Sequence, residues 1–137
     1  MTQRPRPETR NAGRAYWKAA AEGRFVLPHC MRCDKPFWHP RPHCPVCGAY
    51  DVGWKPASGR GTVHTFTIVR QSGDPYFRER VPYVVAMIEL DEGVRMMSNI
   101  VDCEPDAVAI GMRVAVSFER IDEEIGIPLF APDRSVK

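Results

Sequence analysis

Apolar and polar residues alternate most cleanly near the end of the chain. There Met112, Val114, Val116 and Phe118 are interleaved with Arg113, Ala115, Ser117 and Glu119. A period of two sends the two sets to opposite faces of a strand, so this segment reads as a half-buried strand. Thr62–Arg70 reads as another, entered through a Gly59-Arg60-Gly61 turn. Tyr83–Leu90 and Val94–Val101 predict a hairpin closed at Asp91-Glu92-Gly93. Pro128-Leu129-Phe130 supplies a last short strand. Upstream the period changes. Ala12, Ala15, Tyr16, Ala19 and Ala20 recur at helical spacing, which predicts a helix from about Thr9 to Glu22 with Gly23 closing it and Gly13 weakening its first turns. Tyr16 and Trp17 lie about 100° apart on such a helix. Either both pack in the core or one of them faces a partner. Phe25-Val26-Leu27 is a short strand-like run leading into residues 28–48, which are too dense in Cys, His and Pro for much regular structure.

About five strands, with one hairpin and longer connections, suit a small, partly open barrel. Thirteen prolines and ten glycines agree with many short segments and turns, and 137 residues are enough for one modest core with an appendage. The alternating Arg-Pro pattern at the start blocks helix and sheet, so residues 1–8 read as a flexible basic arm. No run of about 18 apolar residues exists, so no membrane span is expected. The first residues also lack the apolar stretch of a secretory signal, and a cytoplasmic location follows as the expectation.

In that compartment five cysteines should be reduced unless they hold metal. Four of them form two pairs, Cys30-Met31-Arg32-Cys33 and Cys44-Pro45-Val46-Cys47, with ten residues between. Each pair can fold into a knuckle presenting two sulfurs on one side, and the two knuckles together complete a tetrahedron around one zinc ion. Pro36, Pro40 and Pro42 stiffen the connection. So small a segment has almost no apolar core, and metal binding should supply its folding energy, about 10 kcal/mol or more. Four cysteines fill every position of the ion, which suits a structural rather than a catalytic zinc; rubredoxin-type iron is the alternative for the same four ligands. His29, His39 and His43 lie nearby but are not needed as ligands, and read as surface or packing residues.

Other reactive side chains carry less. Cys103 lies between Asp102 and Glu104, which should raise its pKa and leave it passive. His64 falls within a predicted strand with no Ser or Asp motif to make it a base. Charge is uneven: residues 1–50 hold nine Lys/Arg and three Asp/Glu, whereas residues 51–137 hold ten and fourteen. Four thiolates on zinc would remove about two of the positive charges from the basic half.

Taken in order, the helix, Phe25-Val26-Leu27, the knuckles, Trp54, Gly59-Arg60-Gly61-Thr62-Val63, Val81-Pro82-Tyr83 and Glu89-Leu90-Asp91-Glu92-Gly93-Val94-Arg95 form a recognisable series. Gly111 before the alternating strand and Leu129-Phe130-Ala131-Pro132 at the end continue it. The chain resembles the zinc-ribbon/OB-fold family of thiolase-associated proteins over nearly everything after residue 8. That resemblance implies a mainly β protein: an N-terminal arm and helix (1–27), a rubredoxin-like zinc ribbon (28–50) and a C-terminal OB-fold barrel (51–137). It also implies a non-catalytic small subunit, with one structural zinc per chain, in a hetero-oligomer with a thiolase-superfamily enzyme. Such enzymes make or break carbon–carbon bonds in acyl-CoA substrates, and include acyltransferases and steroid side-chain aldolases. The catalytic residues would belong to the partner, with the small subunit supporting its active site and the binding of acyl-CoA.

One loop permits that role. Gly73-Asp74-Pro75-Tyr76-Phe77-Arg78-Glu79-Arg80 sets two aromatics and two arginines between strands. Tyr76, Phe77, Arg78 and Arg80 are the candidate contacts for a partner or for CoA, since exposed aromatics and Arg anchor interfaces and Arg suits phosphate. Equally, Tyr76 and Phe77 can plug one end of the barrel. Nucleic-acid binding is the alternative function, because zinc ribbons and OB barrels often serve it. It would need a basic groove with exposed aromatics, whereas the barrel segment is net acidic and its central hairpin offers Tyr83 alone among Met87, Met96 and Met97. A stand-alone enzyme finds no support in a Gly-rich phosphate loop, a His-Glu-x-x-His motif or a nucleophile–base pairing.

Overall fold

The computed structural model describes residues 3–134. Helix α1 (Arg14–Ala21) precedes a three-stranded antiparallel sheet built from β1 (Val26–Cys30), β2 (Lys35–Pro36) and β3 (Val52–Pro56), in the order β2-β1-β3. A closed barrel follows: β4 (Arg60–Val69), β5 (Tyr83–Leu90), β6 (Arg95–Ile100), β7 (Arg113–Arg120) and β8 (Gly126–Pro132), in the order β4-β5-β6-β8-β7. Short helix α2 (Pro75–Arg78) links β4 to β5. Among the described residues no helix is long and apolar enough to cross a membrane.

Strand β5 shows why the barrel forms. Its burial alternates strictly, with Val84, Ala86, Ile88 and Leu90 turned inward. Antiparallel pairing from Val84↔Ile100 to Glu89↔Arg95 then places Met96 and Ile100 of β6 beside them. The long strand β4 serves two neighbours. It pairs with β5 from Gly61↔Leu90 to Val69↔Tyr83, and its first residues pair with β7 through Arg60↔Ala115, Gly61↔Val114 and Thr62↔Arg113, which closes the cylinder. The ladder slips between Val63 and Thr65, leaving His64 exposed in the irregularity and away from any triad. On the other side closure depends on one parallel pair, Ile100↔Phe130, reinforced by the Val101 amide donating to the Phe130 carbonyl at 2.8 Å.

The core does not stop at the barrel wall. Tyr16 of α1, with Phe25 and Leu27 from the ribbon side, is buried in one cluster with Val63, Ile88, Val114 and Phe130. Tyr16 packs edge-on against Phe25 (6.2 Å between centroids), and Phe25 edge-on against Phe130 (6.0 Å). Of the two aromatics of the expected helix, Tyr16 is buried in the core, and Trp17 is partly buried against it. Gly126 lets α1 sit this close, since a Cβ there would collide with the backbone of Ala20 and Ala21.

The structure changes four readings. The barrel is closed rather than partly open, because β4 is long enough to pair with both β5 and β7. The helix begins at Arg14 rather than near Thr9, because the Asn11 side-chain oxygen accepts from the Gly13 amide (2.9 Å) and its carbonyl accepts from Arg14 (3.2 Å), which holds residues 11–14 in a turn. The basic arm is not loose from Arg4 onward: Arg4 bridges to Glu119 at 2.6 Å and Arg6 to Asp122 at 2.8 Å, so it lies along the barrel. The final strand runs from Gly126 to Pro132, longer than the Pro128–Phe130 run, with both prolines seated at positions paired to β7. Residues 1, 2 and 135–137 of the arm and of the barrel segment lie outside the described residues.

The barrel seam carries its own pH dependence. Arg113 of β7 donates to both carboxylate oxygens of Asp91 (2.8 and 2.9 Å) and to Thr62 Oγ1 (3.1 Å). The guanidinium holds the Asp91 carboxyl below its ordinary value. A carboxyl depressed in the folded state contributes stability above its unfolded pKa of about 3.9, and loses it as pH falls through the folded value. Stability should therefore decline below about pH 4, and Asp91→Asn should remove part of that acid limb in urea titrations across pH. The change will be small because both groups are about one-third or more exposed.

Candidate metal centre and partner surface

Strand β1 ends at Cys30, which places that thiol at the sheet terminus, and the chain reverses through Asp34 (φ 60°) into β2. The second pair reverses in the same manner through Gly48 (φ 77°). The two turns are near copies. The amides of Cys33 and Cys47 each donate to the first sulfur of their own pair at 3.4 Å, and those of Asp34 and Gly48 donate to the Cys30 and Cys44 carbonyls at 2.9 Å. Val46 adds an N–H to Cys44 Sγ at 3.3 Å. Such N–H donors stabilise thiolate sulfur.

The four sulfurs lie within 4.8 Å of one another. Cys30 Sγ stands 3.6 Å from Cys47 Sγ, and Cys33 Sγ 3.7 Å from Cys44 Sγ. Sulfurs at about 2.3 Å from a central zinc stand about 3.8 Å apart at the corners of a tetrahedron. The donor set and its spacing thus fit one thiophilic ion. Backbone donors hold the Cys44 thiol down to about 6, whereas burial and the neighbouring thiols push Cys33 up to about 12. Four such thiols do not all ionise unaided, and a cation at the centre resolves the conflict. Among the described residues, Ala49 is the only buried apolar residue besides the cysteines in the cluster of Cys30 and Cys44, so this tip has almost no hydrophobic core of its own.

The histidines stay outside the cluster. His29 Nε2 lies 2.7 Å from Asp34 Oδ1, which also faces Lys55 Nζ at 3.4 Å. His39 stacks on Trp38, and His43 packs against Tyr50. Cys103 is half-buried, and desolvation raises its pKa, with Glu104 and Asp102 adding to the effect against Arg134.

The aromatic–arginine loop forms α2. Asp74 caps it by accepting from the Tyr76 amide (2.8 Å) and the Phe77 amide (3.4 Å). Tyr76 is 6% exposed and Phe77 half-buried against Tyr83. Arg80 lies over the Tyr76 ring at 3.6 Å and donates to the Tyr76 carbonyl at 2.9 Å. Arg78 is exposed and donates to the carbonyls of Ser72 (3.3 Å) and Gly73 (3.1 Å). Sequence reasoning missed Arg4. Its guanidinium covers both rings at 5.0 and 5.7 Å, with its side chain only 16% exposed, so arm and loop are one packed unit. The pairing with Glu119 spans 115 positions and left no local signal in the Arg-Pro repeat.

Residues 17–52 match the family described as ChsH2, rubredoxin-like zinc ribbon domain, and residues 54–119 match ChsH2, C-terminal OB-fold domain. A DUF35 domain-containing scaffold protein from Methanothermobacter thermautotrophicus is 38% identical over 96 residues, covering 69% of this chain and 71% of that protein. The chain belongs to the ChsH2/DUF35 family. A solved member described as the Ltp2-ChsH2(DUF35) aldolase superposes with a TM-score of 0.80 at 35% identity, over 94% of this chain and 98% of that one. A probable enoyl-CoA hydratase alpha subunit from Thermomonospora curvata is 38% identical over 130 residues, 94% of this chain. The ChsH2/DUF35 chain described here spans only 40% of that relative's length.

Proposed function

We propose that this chain is a non-catalytic subunit that docks on a thiolase-superfamily enzyme and supports its work on acyl-CoA, with Cys30, Cys33, Cys44 and Cys47 holding one structural zinc. The superposition with a ChsH2(DUF35) chain of an aldolase over nearly the whole of both chains carries this reading. The name scaffold protein on a relative covered over most of its length supports the non-catalytic role. Zinc would fix the position of both knuckles, and every step of chemistry would belong to the partner. The hydratase name comes from a relative with more than half its length outside the match, and it adds no hydratase chemistry to these residues.

Arg78, Arg80 and the rim of Phe77 are the proposed contacts for the partner or for CoA. Arg78 borders a shallow hollow together with Arg70, Ser72 and Gly73, and two guanidinium groups there favour an anionic group such as phosphate. Tyr76 supports this surface from beneath.

The decisive experiment recovers the tagged chain from native lysate, identifies the large subunit, and measures zinc in the same sample. A thiolase-like partner with about one zinc per chain is expected. Recovery of nucleic acid or ribosomal components alone would overturn the reading. Arg78→Glu should lower the recovered partner roughly tenfold without changing the melting temperature. Unchanged recovery would remove this surface from the contact.

A further inference from the structure

Four distant parts of the chain enclose an open cleft of about 760 Å³. The arm contributes Pro7 and Glu8, α1 contributes Trp17, the loop between the knuckles contributes Trp38 to Pro42, and the barrel closes it with β6 and β8. Its volume falls within the range of small-molecule sites, roughly 300–1,000 Å³. The walls are mainly apolar and aromatic. Trp17 and Trp38 flank the buried Tyr16 ring at 4.9 and 4.7 Å, and Met96, Met97 and Leu129 line the barrel side. Met97 is left 63% exposed, a long apolar side chain at the cleft with only part of its surface covered.

Two charged side chains line the cleft, Glu8 and Arg41. Glu8 is engaged by Arg10, whose amide and guanidinium reach its carboxylate at 2.8, 3.2 and 3.3 Å. Arg41 is the lining residue with a fixed positive charge, and its Nε donates to the His39 carbonyl at 3.4 Å. Its terminal nitrogens suit a carboxylate or a carbonyl oxygen. We infer that the cleft is a binding site for a small amphipathic molecule: an apolar body against Trp17, Trp38 and Met97, and one anionic or carbonyl-bearing end at Arg41.

The same geometry ties this site to the metal. Trp38 to Pro42 lie between Cys33 and Cys44, so this wall hangs from both knuckles. Loss of the ion frees the wall and weakens the ligand, and by linkage a bound ligand strengthens the hold on zinc by the same factor. Pro36, Pro40 and Pro42 stiffen the wall and reduce the entropy lost when a ligand settles on it.

The test uses the zinc-loaded full chain without a partner, and 1-pyrenebutyrate as a fused-ring carboxylate that quenches tryptophan emission. Saturable quenching is expected, weakened roughly tenfold or more by Met97→Glu and by prior removal of zinc. Arg41→Ala should weaken 1-pyrenebutyrate while leaving the neutral 1-pyrenebutanol unaffected. Displacement by decanoate extends the site to acyl chains, and retention restricts it to ring systems; both support it. No saturable quenching of the zinc-loaded chain would overturn the proposal, as would quenching indifferent to Met97→Glu and Arg41→Ala. Loss of partner recovery in Met97→Glu, without probe binding by the unsubstituted chain, would make the cleft a protein-docking surface and also overturn it. Because no partner is present, the cleft and the subunit role stand or fall separately.

Discussion

Replacing Cys44 with serine is expected to reduce zinc from about one ion per chain to near zero, and to release the ribbon tip while the barrel stays folded. Cys44 is fully buried and accepts from two backbone amides, so its loss removes both a ligand and the sulfur around which the second knuckle is wound. Among the described residues, Ala49 and Cys33 are what packs with Cys30 and Cys44, which leaves the tip little to hold it together once the ion departs. The barrel uses other residues for its core, from Val63 on β4 to Phe130 on β8. Hydrogen exchange reads the difference directly. The Cys44 amide, bonded to the Ala49 carbonyl at 2.8 Å, and the Met31 amide, bonded to the Asp51 carbonyl at 2.8 Å, should lose protection, while the amides of β5 keep theirs. Cys103→Ser is the matched control and should retain full zinc. Retention of zinc and of ribbon protection in the Cys44→Ser chain would show that the cluster is not held by four sulfurs.

The second large effect belongs to Phe130. Phe130→Ala should destabilise the whole chain by about 3–5 kcal/mol and lower the melting temperature by about 10–20 °C. The side chain is wholly buried, and the residue joins three elements at once: it pairs with Val116 on β7, meets Ile100 of β6 in the parallel closure, and its ring receives the edge of Phe25. Truncation therefore opens a cavity where barrel closure and ribbon docking meet. Phe118→Ala, at a half-buried site on β7, should cost clearly less in the same denaturation series. Equal losses from the two substitutions would contradict the central position assigned to Phe130.

These two residues also mark how far sequence reasoning reached. The cysteine knuckles were legible because the ligands of each pair are three positions apart and their geometry is set locally. Strand β5 was legible from end to end, since one buried face forces a period of two on its residues. The last strand was only partly visible, because Pro128 and Pro132 mask a segment whose pairing is fixed by β7 rather than by its own propensity. The helix start was obscured by Asn11, whose side chain competes for a backbone donor in a way that spacing alone does not report. Nothing in the order of residues shows Arg4 lying over Tyr76, or Trp17 and Trp38 sharing a cleft wall. Those contacts arise from the packing of segments far apart in the chain, and the charges and rings involved look like ordinary surface residues until the barrel closes.

The shared core of helix, ribbon strand and barrel has a practical consequence for dissection. An expression fragment beginning after β3 would leave Phe130 without Phe25, and the inner barrel residues without Leu27 and Tyr16, so a newly bared apolar surface would drive it to aggregate. A fragment ending before β4 would strand Tyr16, Phe25 and Leu27 in the same way. Cuts that look natural between the metal-bearing and barrel segments are thus the ones the molecule tolerates least.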